Sequence, residues 1–214
     1  PGPRRRTARR ASRRGVTGPK TIDSGTRARC TAATSTRRAE TLCRNRSVPN
    51  RPPDRFRVEE DGLVLSVRRR TEVDLSTVVG WIPDAGALYF FTGPRLVWPL
   101  TIEQLAAMDA DESLTAWMVL DERTQPVGHF DLTVVDRIAR LGRVVIDPEQ
   151  RGRGLGRELV GLTVQTARAL GADELRLNVI ADNHPAVRTY EGAGFRSLPQ
   201  SARPDVRSMT LALH

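Results

Sequence analysis

The pattern of apolar residues predicts strands and helices from about residue 57 to the C-terminus. Residues 57–70 predict a lead-in and a first strand, because they end in a short run of leucine and valine. The next apolar residues recur at helical spacing and predict a helix: Leu75, Val78, Val79 and Ile82. The turn-forming residues 83–86 are expected to end it. Thr101 and Gln104 have the spacing of a capping box and predict the start of a second helix.

The second half of the chain predicts five more strands and two more helices. The strands are residues 116–120, 127–135, 138–146, 175–180 and 207–213. Leu155, Leu159 and Leu162 mark the apolar face of the longer helix. The shorter helix is expected to begin at Asp182 or Asn183, with Pro185 in its first turn.

A basic, glycine-rich loop lies between the strand 138–146 and the longer helix. Its glycines let the backbone take positive φ and approach a ligand closely, and the N–H groups of a new helix favour an anion. The loop therefore predicts a cradle for a pyrophosphate. The expected binding residues of this loop are Arg151, Gly152, Arg153, Gly154, Leu155, Gly156 and Arg157. The spacing fits neither a P-loop nor a dinucleotide-binding fingerprint.

Two motifs at matching distance resemble the signatures of the GNAT (GCN5-related) N-acetyltransferases. The first is the R-x-x-G-x-G pattern of Arg151, Gly154 and Gly156. The second follows about thirty residues later as a strand, an N-x-x-A-x-x-x-Y segment and a Gly-Phe pair; it contains Asn183, Ala186, Tyr190, Gly194 and Phe195. The resemblance extends from about Phe56 to the C-terminus.

The resemblance implies an α/β (α+β) fold with a mixed, mostly antiparallel sheet of about six to seven strands and helices on both faces. A cofactor cleft is expected where strand four, 138–146, splays from strand five, 175–180, and the backbone of Val144, Val145 and Ile146 is expected to hold the pantetheine arm of the cofactor there. The implied reaction is direct transfer of an acetyl group from acetyl-CoA to an amine, with no metal. Tyr190 is the implied general acid, and Asn183 is expected to bind the cofactor chain or to fix the helix start.

The general base and the acceptor stay open. One branch of the family has a glutamate five positions before the motif asparagine, but this chain has Asn178, which cannot act as a base. Asp131, Glu149 and His129 are other candidates, although a structural role for His129 and solvated charges for the two acids are the simpler interpretations. A base acting through water is an equal alternative.

An aromatic cluster offers one indication of an acceptor pocket. Half of all the aromatic residues fall within eighteen positions: Trp81, Tyr89, Phe90, Phe91 and Trp98. They predict either core packing or the wall of a partly apolar acceptor site, and the acceptor can be a small-molecule amine or a protein amino group.

Charge is distributed unevenly along the chain. The first 56 residues contain 16 Arg or Lys and 3 Asp or Glu, whereas the remainder contains 18 and 22. Because residues 1–55 also have almost no large apolar side chains, they are expected to be a disordered basic extension, with one acetyltransferase domain at 56–214. Three interpretations of the extension compete: weak, non-specific contact of residues 1–53 with nucleic acid or an acidic partner, a transit peptide, and an extension without function.

The remaining observations concern compartment and partners. Cys30 and Cys43 both lie in the extension with no histidine near them, so a metal site is not expected, and the cysteine-free core fits a reducing cytoplasm. We expect no signal peptide and no membrane span. A monomer or a homodimer is expected. Two alternatives to an enzyme are a CoA-binding sensor without turnover and a nucleic-acid binder that uses its basic arm.

Overall fold

The computed structural model describes residues 55–60, 63–199 and 203–214. Its strands are β1 Arg55–Glu60, β2 Leu63–Arg69, β3 Leu114–Leu120, β4 Pro126–Val135, β5 Ile138–Ile146, β6 Glu174–Ile180, β7 Arg196–Ser197 and β8 Val206–Ala212. Its α-helices are α1 Leu75–Gly80, α2 Ala85–Thr92, α3 Ile102–Ala107, α4 Leu155–Ala169 and α5 His184–Gly192. The expectations about the basic extension, including Cys30 and Cys43, lie outside the described residues.

The described strands form one sheet in the order β1-β2-β3-β4-β5-β6-β8-β7. Every neighbouring pair is antiparallel except β5 and β6, which are parallel and are connected through α4. This confirms the predicted mixed, mostly antiparallel sheet. The sheet has eight strands rather than six to seven, because residues 55–60 form a strand of their own and Arg196–Ser197 adds a short edge strand.

The parallel pair β5–β6 separates after four residues. Residues 138–141 of β5 pair with residues 174–177 of β6, but the remaining residues of the two strands have no partners in each other. On its other edge, β6 continues to pair with β8 as far as Ile180. The two strands called four and five in the sequence analysis are β5 and β6, so the cleft lies where it was expected.

The two faces of the sheet are covered by different helices. In β3, Trp117 and Val119 join the core formed with α4 and α5, whereas Met118 and Leu120 join the core formed with α1, α2 and α3. This alternation follows from the period of two along a strand. Leu105 of α3 is completely buried, and burial of such a side chain contributes about 2 kcal/mol.

Helix α2 was not predicted. The segment Pro83 to Gly86 was interpreted only as the end of a helix, but Asp84 begins the next one, since its side chain accepts a hydrogen bond from the Ala87 amide at 2.7 Å. The predicted cap at Thr101 is confirmed by a 3.2 Å bond from the Gln104 amide to the threonine hydroxyl. The Gln104 side chain does not complete the box, because it donates to the Pro99 carbonyl instead.

None of the helices in the described part of the chain combines the length and apolar character needed to cross a membrane. The longest is α4, with 15 residues, whereas a spanning helix needs about 20.

Candidate active-site groove

The separation of β5 from β6 opens a groove of about 640 Å³. Eleven of the twelve binding or catalytic residues proposed from the sequence line it: Val144, Val145, Ile146, Arg151, Gly152, Gly154, Leu155, Gly156, Arg157, Asn183 and Tyr190. Arg153 does not line the groove, because its guanidinium donates to the Gln150 side chain. The groove therefore brings together residues from the strand, the loop and the helix α5.

Two glycines in the loop before α4 have a backbone conformation that side chains disfavour. Gly152 and Gly154 have φ of 78° and 81°, and Gly154 is the N-cap of α4. Residues with a side chain rarely adopt this conformation, which explains the glycines. Leu155 and Gly156, the first residues of α4, line the groove, and the exposed Arg151 and Arg157 add positive charge.

Strand β5 forms one wall of the groove and contains a bulge. Val145 pairs with His129 and Gly142 pairs with Asp131, so three steps along β5 match two steps along β4. Arg143 lies inside this bulge with φ of 45°, a left-handed conformation that is uncommon for a residue other than glycine.

Helix α5 brings Asn183 and Tyr190 to the opposite wall. The Asn183 side chain accepts a hydrogen bond from the Ala186 amide at 3.3 Å and so caps the helix. Tyr190 is two turns further on and is only 7% exposed. Its ring packs edge-on against Phe195 at 5.6 Å between centroids. Burial raises the pKa of the Tyr190 hydroxyl, which therefore keeps its proton at neutral pH.

No general-base candidate named from the sequence lines the groove. Glu149 is an exposed residue of the turn after β5, whereas His129 and Asp131 are buried. Asn178 does line the groove, and its side-chain oxygen accepts a bond from the Ser208 hydroxyl at 2.8 Å. Asp182 also lines it and was considered only as a helix cap, since its position beside the motif asparagine gave no other signal.

Helix α2 supplies the wall beyond β5. Ala87, Phe90 and Phe91 face the groove from this helix, together with Ile82 at the end of α1. Phe91 is buried and Phe90 is 48% exposed. Phe91 therefore belongs to the core, whereas the acceptor-site interpretation of Phe90 stays a prediction.

His129 is completely buried behind the β5 wall and makes contacts with both ring nitrogens. Nδ1 lies 3.0 Å from the carbonyl oxygen of Arg143, and Nε2 lies 3.1 Å from Nη1 of Arg70. A carbonyl only accepts and a guanidinium only donates, so the proton is on Nδ1 and Nε2 is the acceptor. Burial, followed by the charge of Arg70, lowers the pKa of His129 to about 3, and the ring is neutral.

Asp131 and Arg143 form a buried ion pair beside this histidine. The Arg143 Nε–H donates to Oδ2 of Asp131. The other carboxylate oxygen, Oδ1, lies 3.3 Å from Nε2 of His129. Within residues 63–199 and 203–214, neither Asp131 Oδ1 nor Arg143 Nη2 has a hydrogen-bond partner. Burial raises the pKa of Asp131 to about 6, against the opposing effect of Arg143.

Replacing His129 by asparagine is expected to make the fold less sensitive to mild acid. Because the pKa of His129 is about 3 in the folded chain and 6.5 in the unfolded chain, the unfolded state binds this proton first as pH falls. Between about pH 7 and pH 5, this lowers the free energy of unfolding by about 2 kcal/mol. Asp131 acts in the opposite direction, since its raised pKa of about 6 adds stability as pH falls.

Urea unfolding of both proteins at three values of pH measures the difference. If the asparagine variant loses stability towards acid as steeply as the wild type, His129 is not the group responsible.

Comparison with known proteins identifies the family. Residues 86–195 match the sequence profile of the acetyltransferase (GNAT) family. The chain is also 30% identical over 145 residues to the peptidyl-lysine N-acetyltransferase YjaB of Escherichia coli, a match that covers 67% of this chain and 90% of that protein. The chain belongs to the GNAT family. It is an acetyl-CoA-dependent N-acetyltransferase that moves an acetyl group to an amine acceptor.

Other relatives of this GNAT protein match over shorter stretches or by fold. It is 36% identical over 98 residues to the mycothiol acetyltransferase of Thermomonospora curvata, covering 44% of this chain but 33% of that protein. Its fold matches the crystal structure of spermidine N-acetyltransferase from Vibrio cholerae in complex with CoA and spermine, with a TM-score of 0.60 and 20% identity over 70% of this chain and 95% of that chain.

Among the residues that the structure describes, no three His, Cys, Asp or Glu side chains come together in a group that could hold a metal ion.

Proposed function

We propose that acetyl-CoA binds in the groove between β5 and β6, with its diphosphate at the start of α4. One observation carries this assignment: the positive-φ glycines and the first residues of α4 line the groove together with Arg151 and Arg157. Gly152 and Gly154 have nothing within 4 Å of where a Cβ would stand, so there is space for a ligand close to the backbone. Unpaired amides and guanidinium groups together favour a doubly charged linkage.

The pantetheine arm fits along the free edge of β5. Val145 and Ile146 pair with β4 on one side, but residues 144–146 have no strand on the side of β6. A chain of amides can add to such an edge as an extra strand does. Acetyl-CoA supplies the thioester, and an amide of this edge that points into the groove would stabilise negative charge on its carbonyl oxygen.

Tyr190 is proposed as the general acid. It lines the same groove, and its hydroxyl keeps its proton because burial raises its pKa. Among the described residues its hydroxyl has no hydrogen-bond partner, so it is available to donate to the departing thiolate. Asn183 caps the first turn of α5, the helix that carries Tyr190.

Calorimetry with CoA and a thiol-release assay with acetyl-CoA test this function together. CoA is expected to bind, and a panel of amines is expected to release thiol. CoA binding without turnover of any amine would support a non-catalytic sensor instead, and the absence of CoA binding would contradict the assigned groove.

We propose that the acceptor is a lysine side chain in a basic, partly apolar peptide. Residues 71–112, which include α1, α2 and α3, contain seven Asp or Glu and one Arg. Asp74 is paired with Arg68, and Asp109 with Arg70. The other five acids are exposed: Glu72, Asp84, Glu103, Asp111 and Glu112. This negative surface would attract a cationic acceptor.

Exposed apolar residues in the same region favour a peptide over a small polyamine. Phe90 lines the groove, and Val97, Trp98 and Ile102 are more than 40% exposed on the following loop and α3. Such residues can pack against the apolar side chains that flank a lysine in a peptide. A polyamine has no such side chains. The relative named as a peptidyl-lysine N-acetyltransferase agrees with this choice.

Replacing Phe90 by alanine is expected to raise KM for a lysine peptide with arginine and leucine neighbours about tenfold, because it removes apolar contact in the groove. Val135→Ala is the matched control, since Val135 is 55% exposed but does not line the groove. CoA affinity is expected to be the same in both variants. A higher kcat/KM for spermidine than for the peptide, or equal KM values in the two variants, would contradict the peptide acceptor.

A further inference from the structure

We propose that His129 and Asp131 are positioning residues that hold the β5 bulge at Arg143, and thereby set the strand edge 144–146 for acetyl-CoA. This inference rests on the proposed function of the groove. It assigns a task to buried polar residues that do not line the groove.

Arg143 needs support because of its backbone. Its φ of 45° is the left-handed conformation, which costs a residue with a side chain about 1–2 kcal/mol. Two neighbours on β4 hold both ends of this residue: the Nδ1–H of His129 donates to its carbonyl, and the carboxylate of Asp131 accepts from its guanidinium. Both contacts join β4 to β5 across the bulge.

The bulge determines which residues of β5 face the groove and which face the core. Val145 is buried in the core with α1, α2 and α3, and it pairs with His129. Without the extra residue, the alternation along β5 would shift by one and would turn Val145 away from that core. The edge 144–146 would then present different amides to the cofactor. The position of the bulge is therefore a requirement for the cofactor edge.

A purely stabilising role accounts poorly for this cluster. Buried ion pairs are often no more stabilising than apolar residues of similar size. Here, in addition, Asp131 Oδ1 and Arg143 Nη2 lack hydrogen-bond partners in the described part of the chain. Arg70 continues the cluster outwards and pairs with Asp109, so the bulge is also linked to β2 and to the turn after α3. Geometry at β5 explains the cluster better than stability does.

A direct role as general base does not fit the contacts. The Nε2 lone pair of His129 already accepts a hydrogen bond from Arg70, and Asp131 is 3% exposed. Both residues act on the reaction through Arg143 and the strand.

The main test compares His129→Leu with His129→Asn, two side chains of similar size. Asparagine places an N–H close to the position of Nδ1 and can still donate to the Arg143 carbonyl, but leucine cannot. We expect His129→Leu to weaken CoA binding in calorimetry about tenfold and to raise KM for acetyl-CoA similarly, with KM for the acceptor unchanged. The asparagine variant is expected to recover most of this loss.

A second pair of variants examines the bulge itself. Both Arg143→Gly and Arg143→Val remove the guanidinium, so Asp131 loses its ion-pair partner in each variant. Only glycine, however, adopts a positive φ easily. We expect the valine variant to bind CoA about tenfold more weakly than the glycine variant. This pair decides the matter if His129→Leu does not fold.

The outcomes separate this inference from the proposed function. If the wild-type protein does not bind CoA, the groove assignment fails. If the wild type binds CoA but a folded His129→Leu variant binds it equally well, or the two Arg143 variants have the same Kd, the positioning role is wrong while the groove assignment stands. A lower melting temperature with unchanged CoA affinity identifies the cluster as structural only.

Discussion

Replacing Tyr190 by phenylalanine is expected to lower kcat for acetyl transfer about 100- to 1000-fold, the range over which a general acid contributes. CoA affinity is expected to change by less than about threefold, because the hydroxyl acts on the leaving thiolate rather than on binding. Thiol release from acetyl-CoA at saturating acceptor gives kcat, and calorimetry with CoA gives the affinity.

The phenylalanine variant is a closely matched change because the ring remains. It can still pack edge-on against Phe195, as the tyrosine does at 5.6 Å. The melting temperature should therefore stay close to that of the wild type, which separates loss of the acid from loss of packing. If kcat falls by less than about threefold, Tyr190 is not the general acid and its role is packing.

Replacing Gly154 by alanine is expected to weaken CoA binding about tenfold or more, because the start of α4 has to change its backbone. Gly154 has φ of 81° and open space around it, so the added methyl group meets no atom and the effect comes from the backbone alone. That conformation also costs alanine about 1 kcal/mol of stability.

Gly161→Ala is the matched control within the same helix. Gly161 also has nothing within 4 Å of an added Cβ, but it lies inside α4 with ordinary helical φ. Alanine there should raise the free energy of unfolding by about 0.5–1 kcal/mol and leave CoA affinity unchanged. Equal CoA affinities in the two variants would exclude the loop before α4 as the diphosphate site.

The parts of the molecule that depend on local rules could be predicted from the sequence. Glycines at 152 and 154 are informative because few other residues adopt a positive φ, and the structure has both there. The separation of Asn183 from Tyr190 equals two helical turns, which places both on one wall of the groove. The predicted bounds of β5, 138–146, equal the observed ones, since its apolar residues end at the turn Asp147–Pro148.

The parts that depend on partners distant in sequence could not be predicted. Helix α2 was missed because Asp84 and Gly86 resemble a turn, and only the hydrogen bond of Asp84 shows that they begin a helix. The register of β5 contains a bulge that no local pattern indicates. The contacts of His129 with Arg70 and Arg143 join positions 59 and 14 residues apart, so the sequence supplied the residue types without their arrangement.

The packing of two separate cores on opposite faces of the sheet has a consequence for engineering acceptor choice. Helices α1, α2 and α3 share one core, whereas α4 and α5 share the other, and β3 serves both through alternate side chains. A combinatorial library confined to exposed positions of residues 81–103 would therefore change the side of the sheet where we propose that the acceptor binds, and would leave the core formed with α4 and α5 unaltered. Variants that acetylate other amines should therefore be obtainable without changes to the helix that begins at Leu155.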